Sequence, residues 1–130
     1  MAKVRVFLSF EFDRDADLYR NFFTQASRGD SSHEIEDYSL NEAYRPHDDS
    51  WLKTARSQIK QSDIVIVALG DDTHNAPGVE KEVTIANQLD KPIFQILPQN
   101  RTSGGVRGAG EVIPWQWKKI DAMISECLTK

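Results

Sequence analysis

The feature that most constrains the fold is an unbroken apolar run near the middle of the chain. Residues 63–70 read Asp-Ile-Val-Ile-Val-Ala-Leu-Gly, and the six residues inside this segment are all apolar. A strand with one solvated face would alternate polar and apolar residues, so this run predicts a strand that is covered on both faces. Parallel neighbours joined by crossover helices provide such cover.

The rest of the chain contains segments suited to those neighbours. Further strands are predicted at residues 4–10, 33–40 and 92–97. Apolar residues at helical spacing predict four helices, at residues 13–28, from 46–50 to 62, from Pro77 to Leu89, and at 114–128. On the second helix the apolar stripe consists of Trp51, Leu52, Ala55 and Ile59.

This alternation predicts one α/β domain over residues 1–130, in three layers, with a parallel sheet of about five strands. We expect the flavodoxin-like type of this architecture, whose strand order is 2-1-3-4-5. The glycine-rich residues 100–110 lie where the fifth strand is expected, so that edge should be brief or irregular. Ligands of such sheets bind beyond the carboxyl ends of the strands, where strand order reverses. Three segments are expected there, namely residues 9–15, 70–79 and 97–101.

Charge and composition bear on the expected partners and location. The formal net charge of −4 does not suit a phosphate backbone, so nucleic acid is not an expected partner. No apolar segment approaches the roughly 20 residues of a membrane helix, and the first residues resemble no export signal, so we expect a cytoplasmic protein without a membrane partner. His33 and His47 lack ligand spacing, and no metal site is predicted.

One carboxylate, Glu82, falls on the predicted inner face of the third helix. At 100° per residue from Val79, Glu82 lies at about 300°, between Leu89 at about 280° and Ala86 at about 340°. Glu80 lies at about 100°, on the outer face. Burying a carboxylate without partners costs several kcal/mol, so Glu82 should meet hydrogen bonds, a cation or a cavity.

Two interpretations of Glu82 remain open at this point. It is a functional group in a pocket, or it is a structural group that pairs with Lys81 or Arg101 or extends past the edge of the apolar arc. Inward-facing acids are structural about as often as they are functional.

The order of the motifs resembles the TIR-like family of small prokaryotic domains, over residues 3–98. The resemblance rests on the first strand ending Phe-Leu-Ser-Phe at residues 7–10, the central strand, and residues 73–83, Thr-His-Asn-Ala-Pro-Gly-Val-Glu-Lys-Glu-Val. This family includes the signal-producing subunit of Thoeris anti-phage defence systems. Many members have a tryptophan four residues before the catalytic glutamate, where this chain has Gly78, and a serine two residues further back, where it has Ala76.

The resemblance implies cleavage of the bond between nicotinamide and ribose in NAD, with Glu82 at the catalytic position. NAD would be a substrate, with no other cofactor, and the product would be an ADP-ribose-derived signal, linear or cyclic, that a product-sensing effector protein detects. Self-association into a homo-oligomer is also expected. The remaining binding residues are predicted around this glutamate: Ser9, Phe10, Asp13, His74 and Asn75.

Structural roles remain open for several of these residues. Phe10 is equally a core residue, Ser9 a small packing residue, and Asn75 a helix cap two positions before Pro77. Trp51 is predicted to be core. Trp115 and Trp117 are predicted to dock the last helix.

Two functions of other classes compete with the enzyme. A receiver-like phospho-acceptor domain would use acids after strands one and three, here Glu11, Asp13 and residues 71–72, around a magnesium ion, with Arg101 in place of the usual lysine. A TIR-like scaffold would join partners without catalysis.

Overall fold

A computed structural model describes residues 3–40, 43–45, 48–99 and 104–129 of the chain. The strands are β1 (Lys3–Ser9), β2 (Glu34–Asp37), β3 (Ile64–Ala68), β4 (Ile93–Leu97) and β5 (Val112–Pro114). The helices are α1 (Ala16–Ser27), α2 (Asp49–Gln61), α3 (Pro77–Gln88) and α4 (Trp117–Leu128), and one 3-10 turn, Thr73–Asn75, precedes α3.

The five strands form one parallel sheet in the order β2-β1-β3-β4-β5. This confirms the predicted fold class and strand order. Strand order reverses between β1 and β3, whose ends lie side by side because Ser9 pairs with Val67. The carboxyl end of β1 is therefore the expected edge for a ligand.

Helices cover both faces of the sheet, as the apolar central strand requires. Ile64 and Ile66 pack in one core cluster with Leu18 and Phe22 of α1 and with Ile120 of α4. The opposite face packs against the other two helices: Val65 lies in a cluster with residues of α2 and α3. All five residues of β3 are buried, which explains why its sequence does not alternate.

Several details of the sequence prediction were wrong. The first helix begins at Ala16 rather than at Asp13, and β2 ends at Asp37 rather than at Leu40. Leu52 lies at the edge of the α2 stripe and is 38% exposed, whereas Trp51, Ala55 and Ile59 are buried. Pro114 does not begin the last helix but ends β5, and α4 begins at Trp117. The edge strand β5 pairs with β4 over three residues, so the predicted brief edge strand is present. It follows the glycine-rich segment instead of lying within it.

Trp115 and Trp117 dock the end of the sheet and the start of α4 against α1. Both indole N–H groups donate to Gln25 Oε1, over 2.9 Å and 2.6 Å, and both rings contact Phe22. The predicted docking role is therefore confirmed, and both tryptophans are only partly exposed.

Gln95 on β4 holds the described part of the glycine-rich segment against the sheet. Its Nε2 donates to the carbonyl oxygens of Gly110, over 2.8 Å, and of Val106, over 3.2 Å. In return the Val106 N–H donates to Gln95 Oε1 over 2.6 Å. The buried Gln95 side chain thus satisfies backbone N–H and carbonyl groups of Val106 and Gly110, which lie outside the strands.

Candidate active site

The start of α3 places Glu82 at the end of β1. Pro77 occupies the first turn of the helix, where a missing N–H is tolerated. Val79, Val83 and Ala86 pack against the sheet, and Glu82 lies among them with only 7% of its surface exposed. Glu80 is exposed, so the predicted difference between the two acids is confirmed.

The partner of Glu82 is a hydroxyl group. Ser9 is the last residue of β1 and is fully buried, and its Oγ donates to Glu82 Oε1 over 2.7 Å. Lys81 is exposed and forms no ion pair with Glu82 within the described part of the chain. Arg101, the other base considered as a partner, lies outside the described residues.

Burial without a cation changes the acidity of this carboxyl group. Burial raises the pKa of Glu82 to about 8, and the hydrogen bond from Ser9 acts in the opposite direction because it favours the charged form. At neutral pH the free domain therefore holds Glu82 largely protonated. A positive charge brought beside Glu82 would lower its pKa and ionise it.

Glu82 forms part of the wall of a cavity of about 260 Å³. The wall is built by the residues after β1, the residues after β2, Trp51 of α2 and the start of α3. Its lining residues are Leu8, Phe10, Glu11, Phe12, Asp13, Leu40, Ala43, Tyr44, Trp51, Ala76, Pro77, Gly78, Val79 and Glu82.

The lining combines acids and aromatic rings. Its acidic side chains are Glu11, Asp13 and Glu82, and the lining that the structure describes has no basic side chain. Its aromatic members are Phe10, Phe12, Tyr44 and Trp51. Phe10 and Phe12 stack with their ring centroids 5.9 Å apart, and the outer ring, Phe12, is 37% exposed. Such a wall suits a flat cationic ring, because aromatic faces and carboxylates both attract positive charge.

The structure brings together some of the predicted site residues and separates others. Phe10 and Asp13 line the cavity with Glu82, whereas Ser9 lies behind the wall and holds Glu82. His74 and Asn75 are exposed on the 3-10 turn and are not part of the lining. Their contact with a ligand stays a prediction.

The alternative role of Asn75 as a helix cap was wrong. The residue at the N-cap of α3 is Ala76, which makes no side-chain capping bond. Asn75 Nδ2 instead donates to Asp72 Oδ1 over 2.7 Å, within the turn.

The wall after β2 was missing from the predicted ligand segments. Leu40, Ala43 and Tyr44 line the cavity, together with Trp51, which is both core and lining. The available signal was position, because these residues lie at or after the end of the second predicted strand, and ligands bind beyond strand ends. Of the third predicted segment, residues 97–99 do not line the cavity and residues 100–101 lie outside the described part.

Gly78, at the position where many TIR-like proteins have tryptophan, is in contact with two aromatic residues. A Cβ atom placed on Gly78 would lie 2.8 Å from Tyr44 Cβ and 4.0 Å from Trp51 Cζ2. In this chain the aromatic residues beside the start of α3 are therefore Tyr44, which follows β2, and Trp51 of α2.

The receiver-like alternative gains no support from these positions. Within the residues that the structure describes, no group of three or more His, Cys, Asp or Glu side chains is arranged to hold a metal ion. Glu11 Oε2 and Asp72 Oδ2 instead both lie near the guanidinium group of Arg14, at 3.9 Å and 3.8 Å.

No helix in the described ranges combines the length and apolar character needed to span a membrane.

Comparisons with solved structures agree with the fold. The structure of a CMP N-glycosidase from Clostridium botulinum aligns with a TM-score of 0.53 and 20% identity, covering 97% of this chain and 99% of that one. A 3-dehydroquinate dehydratase-like protein from Bifidobacterium longum aligns with a TM-score of 0.51 and 11% identity, covering 99% of this chain and 97% of that one. At these identities the likeness concerns the fold alone. The comparison with curated proteins gives no match.

A family comparison covers most of the chain, including the cavity and Glu82. Residues 7–103 of the 130 match the family described as Thoeris protein ThsB, TIR-like domain. The match begins within β1 and extends beyond β4, so it includes the carboxyl ends of the strands where the cavity lies. The chain belongs to the Thoeris ThsB family of TIR-like domains.

Proposed function

We propose that this domain cleaves the N-glycosidic bond between nicotinamide and ribose in NAD. The observation that carries the proposal is Glu82, a buried carboxyl group held by a neutral hydroxyl and placed in the wall of a cavity. A purely structural acid at such a depth would be expected to pair with a cation.

The acidic lining of the cavity is complementary to the positive charge of the proposed ligand. The nicotinamide ring of NAD carries a positive charge, and the described charged residues of the lining are acids only. An aromatic wall provides flat surfaces for the ring. A volume of about 260 Å³ lies just below the usual range of small-molecule sites, about 300–1,000 Å³, so it suits the nicotinamide riboside half rather than the whole dinucleotide. The phosphates would stay at the mouth.

The proposed reaction requires few catalytic groups from the protein. When the bond between C1′ and the ring nitrogen breaks, its electron pair goes to the nitrogen, and nicotinamide leaves as a neutral molecule without a general acid. Positive charge develops on the ribose, as in glycosidase transition states, and an adjacent carboxylate stabilises it. Water or another nucleophile then forms the new bond to C1′ and releases its proton to solvent.

Glu82 has the properties of that carboxylate. Ser9 fixes one of its oxygens, so the group needs no reorientation when charge develops. The pKa of about 8 in the free domain falls when the cationic ring enters, because a nearby positive charge favours the ionised form. Substrate binding thus produces the anion that the reaction uses.

Two of the comparisons support the class of reaction and the biological role. The solved relative from Clostridium botulinum is named a CMP N-glycosidase, so a protein of this fold cleaves a bond between a base and a sugar. CMP itself suits this cavity less well, because its base is neutral and brings no positive charge to the acidic lining. Membership of the ThsB family supports an ADP-ribose-derived product, linear or cyclic, that signals to an effector in anti-phage defence.

The experiment is to incubate the purified protein with NAD and to measure free nicotinamide by chromatography. Glu82→Gln is expected to lower the rate at least about a hundredfold, because it removes the charge that stabilises the transition state. Glu80→Gln is the matched control: it makes the same change two residues away on the same helix, at an exposed position, and should retain the rate.

CMP serves as the comparison substrate, and the acidic lining predicts slower release of cytosine than of nicotinamide. Equal nicotinamide release by wild type and Glu82→Gln would remove Glu82 from the mechanism. Faster cleavage of CMP than of NAD would contradict the proposed substrate.

A further inference from the structure

Phe12 is the outermost of three aromatic rings that stack in a row beside the cavity. Phe10 lies in the middle: its ring centroid is 5.1 Å from that of Tyr19 and 5.9 Å from that of Phe12. The ring planes are close to parallel, at interplanar angles of 22° and 25°. Because stacked rings cover one another face to face, the row has an inner end at Tyr19 and an outer end at Phe12.

The inner end of this row is fixed, whereas the outer end is open. The Tyr19 hydroxyl donates to Asp37 Oδ2 at the end of β2, and the Tyr19 ring also contacts the edge of Phe23. Phe12 is the one exposed aromatic residue in the described part of the chain. Since Phe12 also lines the cavity, a ligand that enters the cavity can reach this end of the row.

The size of the cavity decides which part of a dinucleotide can lie against Phe12. A volume of about 260 Å³ suits the nicotinamide riboside half, so the adenosine half and the diphosphate lie outside the cavity. The adenine ring then needs a surface for its flat faces. An exposed aromatic ring in the cavity wall provides one, because nucleic-acid bases of every type stack on aromatic side chains.

Arg14, two positions after Phe12, provides a positive charge for the diphosphate. Its guanidinium nitrogens lie 3.9 Å from Glu11 Oε2 and 3.8 Å from Asp72 Oδ2, and its side chain is 65% exposed. Ion pairs that are exposed and this long contribute little, so the guanidinium group can turn to a phosphate instead. The turn after β1 thus offers both a stacking surface and a cation to the half of NAD that stays outside.

We propose that Phe12 binds the adenine ring of the dinucleotide by stacking, and that the site thereby selects dinucleotides over mononucleotides. This inference rests on the proposed function, in which the nicotinamide riboside half occupies the cavity. It assigns Phe12 to recognition of the half of the substrate that is not cleaved.

The test compares kcat/KM for NAD and for nicotinamide mononucleotide, which has the same scissile bond and one phosphate but no adenosine. Wild type should favour NAD. Phe12→Leu keeps an apolar side chain but removes the ring, so the ratio of the two kcat/KM values should fall about tenfold. An unchanged ratio would overturn the proposal.

Phe12→Tyr is the matched control, because it keeps the aromatic ring and should keep the wild-type ratio. A fall in Phe12→Tyr as large as in Phe12→Leu would show that any change at this position disturbs the site, and it would overturn the stacking role. Both variants should fold, since Phe12 is exposed, and thermal unfolding checks this.

Binding of ADP-ribose, which lacks nicotinamide, separates this inference from the proposed function. Titration calorimetry should give an affinity about tenfold lower in Phe12→Leu than in wild type and Phe12→Tyr. That result without any cleavage of NAD would support the role of Phe12 and overturn the proposed function.

The reverse outcome is equally clear. Cleavage of NAD that depends on Glu82, with unchanged substrate ratio and unchanged ADP-ribose affinity in Phe12→Leu, would leave the function in place and overturn the role of Phe12. Wild type that neither binds ADP-ribose nor cleaves NAD would overturn both.

Discussion

Ser9 Oγ donates a 2.7 Å hydrogen bond to Glu82 Oε1, and this bond joins the end of β1 to the first half of α3. The donor and the acceptor are 73 positions apart in the chain. The pairing holds a buried carboxyl group in place but supplies no positive charge. Burial therefore raises the pKa of Glu82 to about 8, although the hydrogen bond from Ser9 acts in the opposite direction.

Replacing Glu82 by glutamine should stabilise the protein at high pH. A carboxyl group whose pKa rises on folding, here from 4.5 to about 8, stabilises the folded state fully below pH 4.5 and progressively less as the pH rises toward 8. Glu82→Gln removes this loss and keeps an oxygen that accepts from Ser9. At pH 8 its free energy of unfolding should exceed that of wild type by several kcal/mol.

Urea unfolding at a series of pH values measures this difference, which should shrink toward pH 4.5. Glu80→Gln, at an exposed site, should show no such trend. A Glu82→Gln difference that is constant with pH would contradict the raised pKa.

The rate of NAD cleavage should depend on the ionisation of Glu82. Since kcat/KM reports the free enzyme, it should rise about tenfold per pH unit below pH 8 and level off above it. The profile of kcat should have its midpoint at lower pH, because the bound cationic ring favours the charged form. Steady-state kinetics between about pH 5 and pH 9 measure both profiles, and coincident midpoints would argue against the ring lying beside Glu82.

Removing the Ser9 hydroxyl should shift that profile. The hydrogen bond favours the charged form of Glu82, so Ser9→Ala should raise its pKa further and move the rise of kcat/KM to higher pH. At pH 7 the rate should fall, and raising the pH should restore part of it. A rate lowered equally at every pH would indicate that Ser9 acts by packing alone.

A methyl group at Gly78 should disturb the cavity. Its Cβ would lie 2.8 Å from Tyr44 Cβ, so Tyr44 must shift, and we expect Gly78→Ala to destabilise the fold by about 1–3 kcal/mol and to raise KM for NAD. Gly104→Ala is the matched control, because a Cβ there meets no atom within 4 Å. Denaturant unfolding and kinetics check the two variants, and equal behaviour would refute the contact.

Gln95→Leu should destabilise the protein without altering the site. The change leaves the Val106 N–H and the Gly110 carbonyl without their side-chain partner, at about 1–3 kcal/mol for each group that stays buried and unpaired. Gln61→Leu, at an exposed position, should change the free energy of unfolding by less than about 0.5 kcal/mol. Nicotinamide release well below the unfolding temperature should be normal in both variants.

Much of the fold followed from local patterns. The apolar run at residues 63–70 predicted the doubly covered strand that became β3, and the helical spacing of residues 77–89 predicted both the inward Glu82 and the exposed Glu80. These features depend on the side-chain periodicity within a single strand or helix, and a short stretch of sequence contains that periodicity. The boundaries were less accurate: Pro114 belongs to β5, since pairing with β4 decides where that strand ends.

Sequence alone thus determined the fold class, the strand order and the face on which Glu82 lies. Only the tertiary structure decided that Ser9 is the partner of Glu82 and that Tyr44 and Trp51 complete the cavity. The physical reason is that such contacts join residues far apart in the chain. They depend on how strands align and helices pack, and no periodicity within one element records them.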